Sequence, residues 1–438
     1  MEHNPNGKPP QNNNDDSEPT PEFLASKTGR SVSFFGLVER IVAEFELEHG
    51  QGESEAIKAS TNDVERRQLL RDVADYIFGI ESVHLSPHEQ ARIMAMANAE
   101  IFGYGPLDPF FADETVSTIS LEGSRKIGLR YAPAQELQTL DPIFDDTPHM
   151  RRIIQRLLRD AGADLDADVP IIETGLIIQG RRVAVSVAKP PFVSQLSVDI
   201  RVHPTQAPTF DTWIEAGILN EKTRDLLIAI AQSEHGFIVV GDTESGKTTL
   251  VSMMLQAIQA DNLVSVERAS ELRLPDGAER LSTQWAIDLQ SEITFGEQIQ
   301  AAIAKNTQII VIDEIRADEP HSIAPLLIND NLPRQIWSFR GASEAKRLTS
   351  ALGMLARMAD GTQPEYMVQQ LYKRLPFVII IKRRKEKLQI REIAEWQFSD
   401  GEGYADFVSL MRVEWDECNV TGKKPQHILN LPNDFWSI

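Results

Sequence analysis

The run Gly236-Phe237-Ile238-Val239-Val240-Gly241-Asp242-Thr243-Glu244-Ser245-Gly246-Lys247-Thr248-Thr249-Leu250 decides how the chain is read. Phe237 to Val240 is an apolar stretch of strand length. It passes into G-x-x-x-x-G-K-T, Gly241 to Thr248, and then into a helical pattern, Leu250-Val251-Ser252-Met253-Met254-Leu255. The glycines let the backbone wrap closely, so that its N–H groups and the following helix N-terminus face a phosphate chain. Lys247 has the reach for β- and γ-phosphates, and the Thr248 hydroxyl is a ligand for Mg²⁺. Gly241, Asp242, Thr243, Glu244, Ser245, Gly246, Lys247, Thr248 and Thr249 are the candidate nucleotide-binding set. The loop implies a nucleoside triphosphate.

Outward from this loop, helical patterns at about 211–217 and 221–233 alternate with strand patterns at 237–241, 263–267 and 309–313. That alternation predicts an α/β domain over 205–438, with the loop at the carboxyl end of a strand, where doubly wound sheets bind ligands. Phe377–Lys382 and Leu388–Trp396 read as a late strand pair joined through Lys382-Arg383-Arg384-Lys385. Those four charges fit a hairpin turn, with a membrane or phosphate contact as the alternative.

Upstream, His203-Pro204-Thr205-Gln206-Ala207-Pro208 reads as an interdomain linker. Between 104 and 204 the period is that of strands, at 116–121, 126–131, 171–178, 182–188 and 198–202, around a helix from His149 to Ala161. A compact α+β domain follows from that order. Its helix carries Arg151, Arg152, Arg156 and Arg159, either a solvated face or a contact for an anionic partner. Residues 33–103 carry helical periodicity in three pieces, the third opened by Ser86-Pro87. Residues 1–32 form a tail, and Met1 to Glu22, rich in Asn, Pro and Asp, is expected to be disordered.

About sixty residues beyond the loop stands Ile309-Ile310-Val311-Ile312-Asp313-Glu314, a buried parallel strand delivering two carboxylates at its end. Such a pair suits holding Mg²⁺ with one acid and polarising an attacking water with the other. Asp313 is assigned to the metal, with Thr248, and Glu314 to the water. Leu263-Val264-Ser265-Val266-Glu267 is a third strand ending in a carboxylate, which makes Glu267 a further catalytic candidate. No N-K-x-D guanine-reading motif occurs, so ATP is favoured over GTP.

A formal net charge of −21 argues against a protein that coats nucleic acid. The single cysteine, Cys418, has no partner for an intramolecular disulfide, which fits a reducing cytosol. The longest apolar run near the C-terminus, Phe377 to Ile381, is far short of a membrane span, so any membrane association is expected to be peripheral.

Together these motifs resemble the type II/type IV secretion ATPase superfamily (VirB-type secretion ATPases), and within it the tight-adherence (Tad) pilus ATPases. The resemblance covers roughly residues 100–400. Phe102-Gly103-Tyr104-Gly105-Pro106-Leu107-Asp108-Pro109-Phe110-Phe111 is similar to that group's G-x-G-P-L-[DE]-P-L-L opening. Gly180-Arg181-Arg182-Val183 and Val198-Asp199-Ile200-Arg201 are similar to its arginine-bearing strands. Glu267, Glu271 and Leu272 match its acidic box, and Ile310-Val311-Ile312-Asp313-Glu314-Ile315-Arg316-Ala317 resembles its I-I-V-G-E-[VI]-R-G. The resemblance implies a RecA-like P-loop domain behind the α+β domain, ATP and Mg²⁺ between the two, and Arg182 and Arg201 approaching the phosphates beside Lys247. It also implies a cytoplasmic homo-hexamer working on an inner-membrane platform protein of a pilus or secretion machine.

Four departures stand out. Arg268 replaces an acidic residue of the box, Arg340 replaces a histidine, Asp313 replaces a small residue, and Glu244 sits where the loop usually has glycine. The Glu244 side chain is expected to point to water. Arg340 is expected either to hold a phosphate, or to point to solvent or pair with an acidic neighbour such as Glu344.

Overall fold

The computed structural model describes residues 23–25, 31–49, 63–132, 136–260, 262–286, 291–317, 319–329, 331–341, 344–384, 387–399, 405–414 and 417–437. The tail expected to be disordered, Met1 to Glu22, lies outside the described residues, as does Lys385 of the expected hairpin turn. The chain divides into two compact units, Met1–Asp108 and Pro109–Ile438.

In the first unit two three-residue strands, β1 (Phe23–Ala25) and β2 (Ser31–Ser33), pair antiparallel ahead of three helices. The helices are α1 (Phe34–His49), α2 (Asp63–Glu81) and α3 (Pro87–Phe102). On α1 the buried Phe34, Leu37, Val38, Ile41, Val42 and Phe45 recur three and four apart, so one stripe of the helix meets Leu70, Val73, Ala74 and Ile77 of α2 and Ile93 and Ala97 of α3. Helix α3 starts in a capping box: the Glu89 N–H donates to Ser86 Oγ, and the Ser86 N–H donates to the Glu89 carboxylate.

The second unit holds two sheets. The first has six antiparallel strands in the order β5-β4-β3-β8-β7-β6, formed by β3 (Val116–Glu122), β4 (Lys126–Tyr131), β5 (Gln138–Leu140), β6 (Ile171–Ile178), β7 (Arg181–Ala188) and β8 (Ser197–Val202). A helix at Thr147–Asp160 supplies Met150, Ile153, Ile154, Leu157 and Leu158 as a buried face. On its other face Arg151 pairs with Asp166 and Arg159 with Asp164, so local carboxylates engage both of these arginines. Arg181 is 2% exposed and knits this domain together, donating to the carbonyls of Phe111, Asp113, Val116 and His203.

The second sheet has nine strands in the order β11-β10-β12-β13-β9-β14-β15-β16-β17. Its parallel half comprises β9 (Phe237–Gly241), β10 (Leu263–Glu267), β11 (Glu279–Ser282), β12 (Ile309–Ile315), β13 (Arg334–Arg340) and β14 (Phe377–Arg384). The antiparallel half continues through β15 (Lys387–Phe398), β16 (Ala405–Glu414) and β17 (Glu417–Val420), two strands beyond the pair expected from sequence. Alternation sends Phe237, Val239 and Val311 to one face, against helices at Glu221–Gln232 and Lys247–Gln256. Ile238, Val240, Ile310 and Ile312 go to the other, against helices at Phe295–Ala304, Pro320–Ile328, Ala345–Ala359 and Pro364–Arg374. Both faces are buried, which is why these strands read as continuous apolar runs.

Candidate active site

The phosphate-binding loop leaves β9 between β13 and β14 and ends at the helix beginning with Lys247. Gly241 is required where it stands, because a Cβ there would lie 2.3 Å from Ser245 Oγ and 2.4 Å from the Ile381 carbonyl oxygen. Glu244 and Gly246 take positive φ, 58° and 82°, which turns the loop back over the helix N-terminus. Lys247 is 6% exposed and its Nζ donates to the Asp242 carbonyl at 2.8 Å, so the lysine lies across its own loop. Burial pushes its pKa down, opposed by Glu314 and Asp313. Ser245 Oγ is buried and unpartnered.

Asp313 and Glu314 are aimed by a break in the sheet. The β12–β13 register shifts between Ile312 and Ile315, and Glu314 takes φ 56°. Such a bulge re-aims side chains at a strand end. Ser338 of β13 fixes both residues: its Oγ accepts from the Glu314 N–H at 2.7 Å and donates to Asp313 Oδ1 at 2.6 Å. Burial, with Glu267 and Glu271 adding to it, pushes the Asp313 carboxyl up to about 8. Burial also acts to raise Glu314, but Arg316, Arg201 and Lys247 outweigh it and hold that carboxyl below its usual range.

A cavity of about 920 Å³ joins the loop to the six-stranded sheet. Lys247, Thr248, Arg201 and Glu314 meet on its wall. Arg201 Nη2 is 2.7 Å from Glu271 Oε1. Burial would raise Glu271, but Arg201 and His203 bring it down to about 2. Arg182 opens instead on an adjoining cavity of about 360 Å³ with Thr248, Thr249 and Glu271, its Nη1 donating to the Ser270 carbonyl at 3.1 Å. Asp313 is set deeper and lines a small void behind Arg201, Glu271 and Glu314.

Glu267 is not brought to the cavity. It is fully buried, with Oε1 accepting from Ser265 Oγ and Arg280 Nε, both at 2.7 Å, and Oε2 accepting from the Leu272 N–H at 2.9 Å. Those bonds make it a brace for the loop after β10. Arg268 also turns away, pairing with Glu319 and lying 4.0 Å from the Phe295 ring centroid. Arg340 points toward Glu314, with Nη1 3.8 Å from Oε1, while Glu344 pairs with Arg347.

Glu244, expected to point to water, is instead half-buried and paired. Arg130 of β4 pairs with it, and Arg383 Nε donates to its carbonyl at 3.3 Å, so Arg383 is more than part of a charged turn. Sequence reasoning gave no role to Arg130, Ser338 or Arg316. Arg316 links the two sheets, with Nη2 2.7 Å from Glu173 Oε1 on β6 and 3.1 Å from Glu314 Oε1. Gly175 marks the same seam: a Cβ on it would lie 1.8 Å from the Ala269 carbonyl oxygen.

A family model described as "Type II/IV secretion system protein" matches residues 122–326, which span β4, Arg201, the loop and Glu314. These matches support the type II/IV secretion ATPase superfamily for that segment, which is a little under half of the chain. A putative conjugal transfer protein of Mycobacterium tuberculosis is 26% identical over 239 residues, covering 52% of this chain and 66% of the relative. The probable conjugal transfer protein TrbB of Sinorhizobium fredii is 24% identical over 249 residues, covering 55% of this chain and 71% of its own. Among solved structures, the ATPase DotB of Legionella pneumophila aligns at 14% identity and a TM-score of 0.47, covering 69% of this chain and 81% of that one. The chain itself combines N-terminal helices, a six-stranded antiparallel sheet with its helix, and an α/β P-loop sheet. Among the described residues, no helix is long and apolar enough to cross a membrane.

Proposed function

We propose that this chain hydrolyses ATP in the cleft between its α+β and RecA-like domains, and that it forms a cytoplasmic ring, a hexamer, driving pilus assembly or protein secretion through an inner-membrane platform protein. The observation that carries the proposal is the meeting of Lys247, Thr248, Arg201 and Glu314 on one cavity. Lys247 and Arg201 are cations aimed at phosphate oxygens and at the charge that develops in transfer. Glu314, held ionised by its neighbours, accepts the proton of the attacking water. The orphaned Ser245 hydroxyl and the Lys247 ammonium, now spent on its own loop, are groups a phosphate chain would satisfy.

By donor chemistry the two proposed ligands also suit Mg²⁺, with Thr248 on the large cavity and Asp313 on the small void behind it. Thr248 and Asp313 supply hard oxygens, and a dication would draw the proton from a carboxyl otherwise retained to about pH 8. Bound Mg²⁺ would supply charge neutralisation for the phosphates. Among machines, the Gly103-to-Phe111 segment favours a Tad-type pilus. The net charge of −21 disfavours nucleic acid as the cargo.

Arg316 and Arg340 close on Glu314 favour a second reading, a weakly hydrolysing ATP-binding regulator of such a machine. Phosphate release at saturating ATP separates the two. The motor reading expects steady turnover that falls by about 10²–10⁴ in Glu314→Gln with ATP binding kept. A wild-type rate no faster than that of Glu314→Gln leaves the regulator.

A further inference from the structure

The phosphate-binding loop carries a carboxylate at its tip, and the six-stranded sheet answers it with a cation. Arg130 Nη1 donates to Glu244 Oε2, and also to Thr118 Oγ1 at 3.3 Å. Thr118 Oγ1 is in turn 3.4 Å from Glu244 Oε1. Thr118 on β3 and Arg130 on β4 are register partners, so the two groups that grip the carboxylate come from one rung of the sheet. Arg383, on β14, donates from Nε to the Glu244 carbonyl. Thr118, Arg130, Glu244 and Arg383 all line the cavity that contains Lys247. The Arg130 side chain is 20% exposed and that of Glu244 35%, so water screens the pair only in part.

We propose that Arg130 is a positioning residue for ATP: it neutralises Glu244, so that the loop is a good triphosphate site only while the α+β domain is seated on it. The inference rests on the ATP reading above and adds a control to it. An unpaired carboxylate at the loop tip repels the phosphate chain, and a cation on that carboxylate cancels the repulsion. Withdrawing the α+β domain removes the cation and leaves the anion. By reciprocity ATP favours the seated arrangement by the same factor that seating improves ATP affinity. A unit-charge repulsion across a partly hydrated loop corresponds to about a five- to twentyfold change in affinity.

The test is a double-mutant cycle on the full chain, read as the dissociation constant of a fluorescent ATP analogue with Mg²⁺ at low salt. Arg130→Gln should weaken binding about five- to twentyfold, and Arg130→Lys should restore most of the loss. Glu244→Gln should bind at least as tightly as wild type, and in that background Arg130→Gln should cost less than about twofold. Raising salt toward ~1 M should shrink the Arg130→Gln effect. An equal loss in both backgrounds would mean that Arg130 touches the nucleotide itself, and no loss in either would make the pair idle; each overturns the proposal. Should Arg130→Gln fail to fold by circular dichroism, Glu244→Gln decides alone, because a loss of affinity beyond about threefold sinks the idea. Lys247→Ala checks the parent reading separately: if it binds as wild type does, the loop is not the ATP site, whatever Arg130 does.

Discussion

Replacing Asp313 with asparagine should stabilise the nucleotide-free protein, and the gain should grow with pH. In the folded chain burial, then Glu267 and Glu271, keep the Asp313 proton in place to about pH 8. In the unfolded chain the same carboxyl releases it near 3.8. Between those values the unfolded state binds fewer protons, so stability is full below about pH 4 and is lost as pH rises toward 8. The slope is about 1.36 kcal/mol per pH unit, or about 2.7 kcal/mol between pH 5 and 7 for Asp313 alone. Because Glu267 and Glu271 share the shift, a difference of about 1–3 kcal/mol is expected. The introduced asparagine carries no charge, and its side-chain carbonyl oxygen can still accept from Ser338 Oγ, so the variant removes the titration and keeps the hydrogen bond. Denaturant unfolding of both proteins at pH 5, 6, 7 and 8 without Mg²⁺ reads the difference. A stability gap that is flat across this range, or that narrows as pH rises, would refute the account of Asp313. With Mg²⁺ and ATP the gap should close, because a dication favours the ionised carboxylate.

Arg340→His should raise turnover by severalfold, because it removes a permanent cation 3.8 Å from the proposed base; rates within twofold of wild type would leave Arg340 without a role in the step. Light scattering with ATP and Mg²⁺ should find about six times the 49.1 kDa chain mass, and a strict monomer across micromolar concentrations would favour the regulator.

The β9 strand, the loop and the β12 carboxylates were legible because each is local: an apolar run, a glycine pattern, a strand end. The strand β13 was not. Arg334-Gln335-Ile336-Trp337-Ser338-Phe339-Arg340 mixes charged, polar and aromatic residues, and it is a central strand because β12 and β9 flank it. Its Ser338, which aims both acids, carries no signal until those strands are side by side. The helix Pro320–Ile328 was hidden by Pro325 within it. Glu267 was misleading for the opposite reason: a carboxylate at a strand end looks catalytic, and only the bonds from Ser265, Leu272 and Arg280 show it to be spent on structure.

Glu244 is the sharpest case. A loop motif treats the position as a question of backbone freedom, and a positive φ of 58° is indeed what glycine would serve best. A glutamate there accepts that backbone cost and adds a negative charge next to phosphate, so by local rules it looks like a defect. Its partner lies 114 residues upstream, on a strand whose own pattern, Lys126-Ile127-Gly128-Leu129-Arg130-Tyr131, says only that alternate residues face outward. The β3–β4 register and the seating of that sheet on the loop turn an outward arginine into a countercharge. A residue that weakens the isolated loop can thereby tie nucleotide affinity to domain position, which a glycine at the same place could not do.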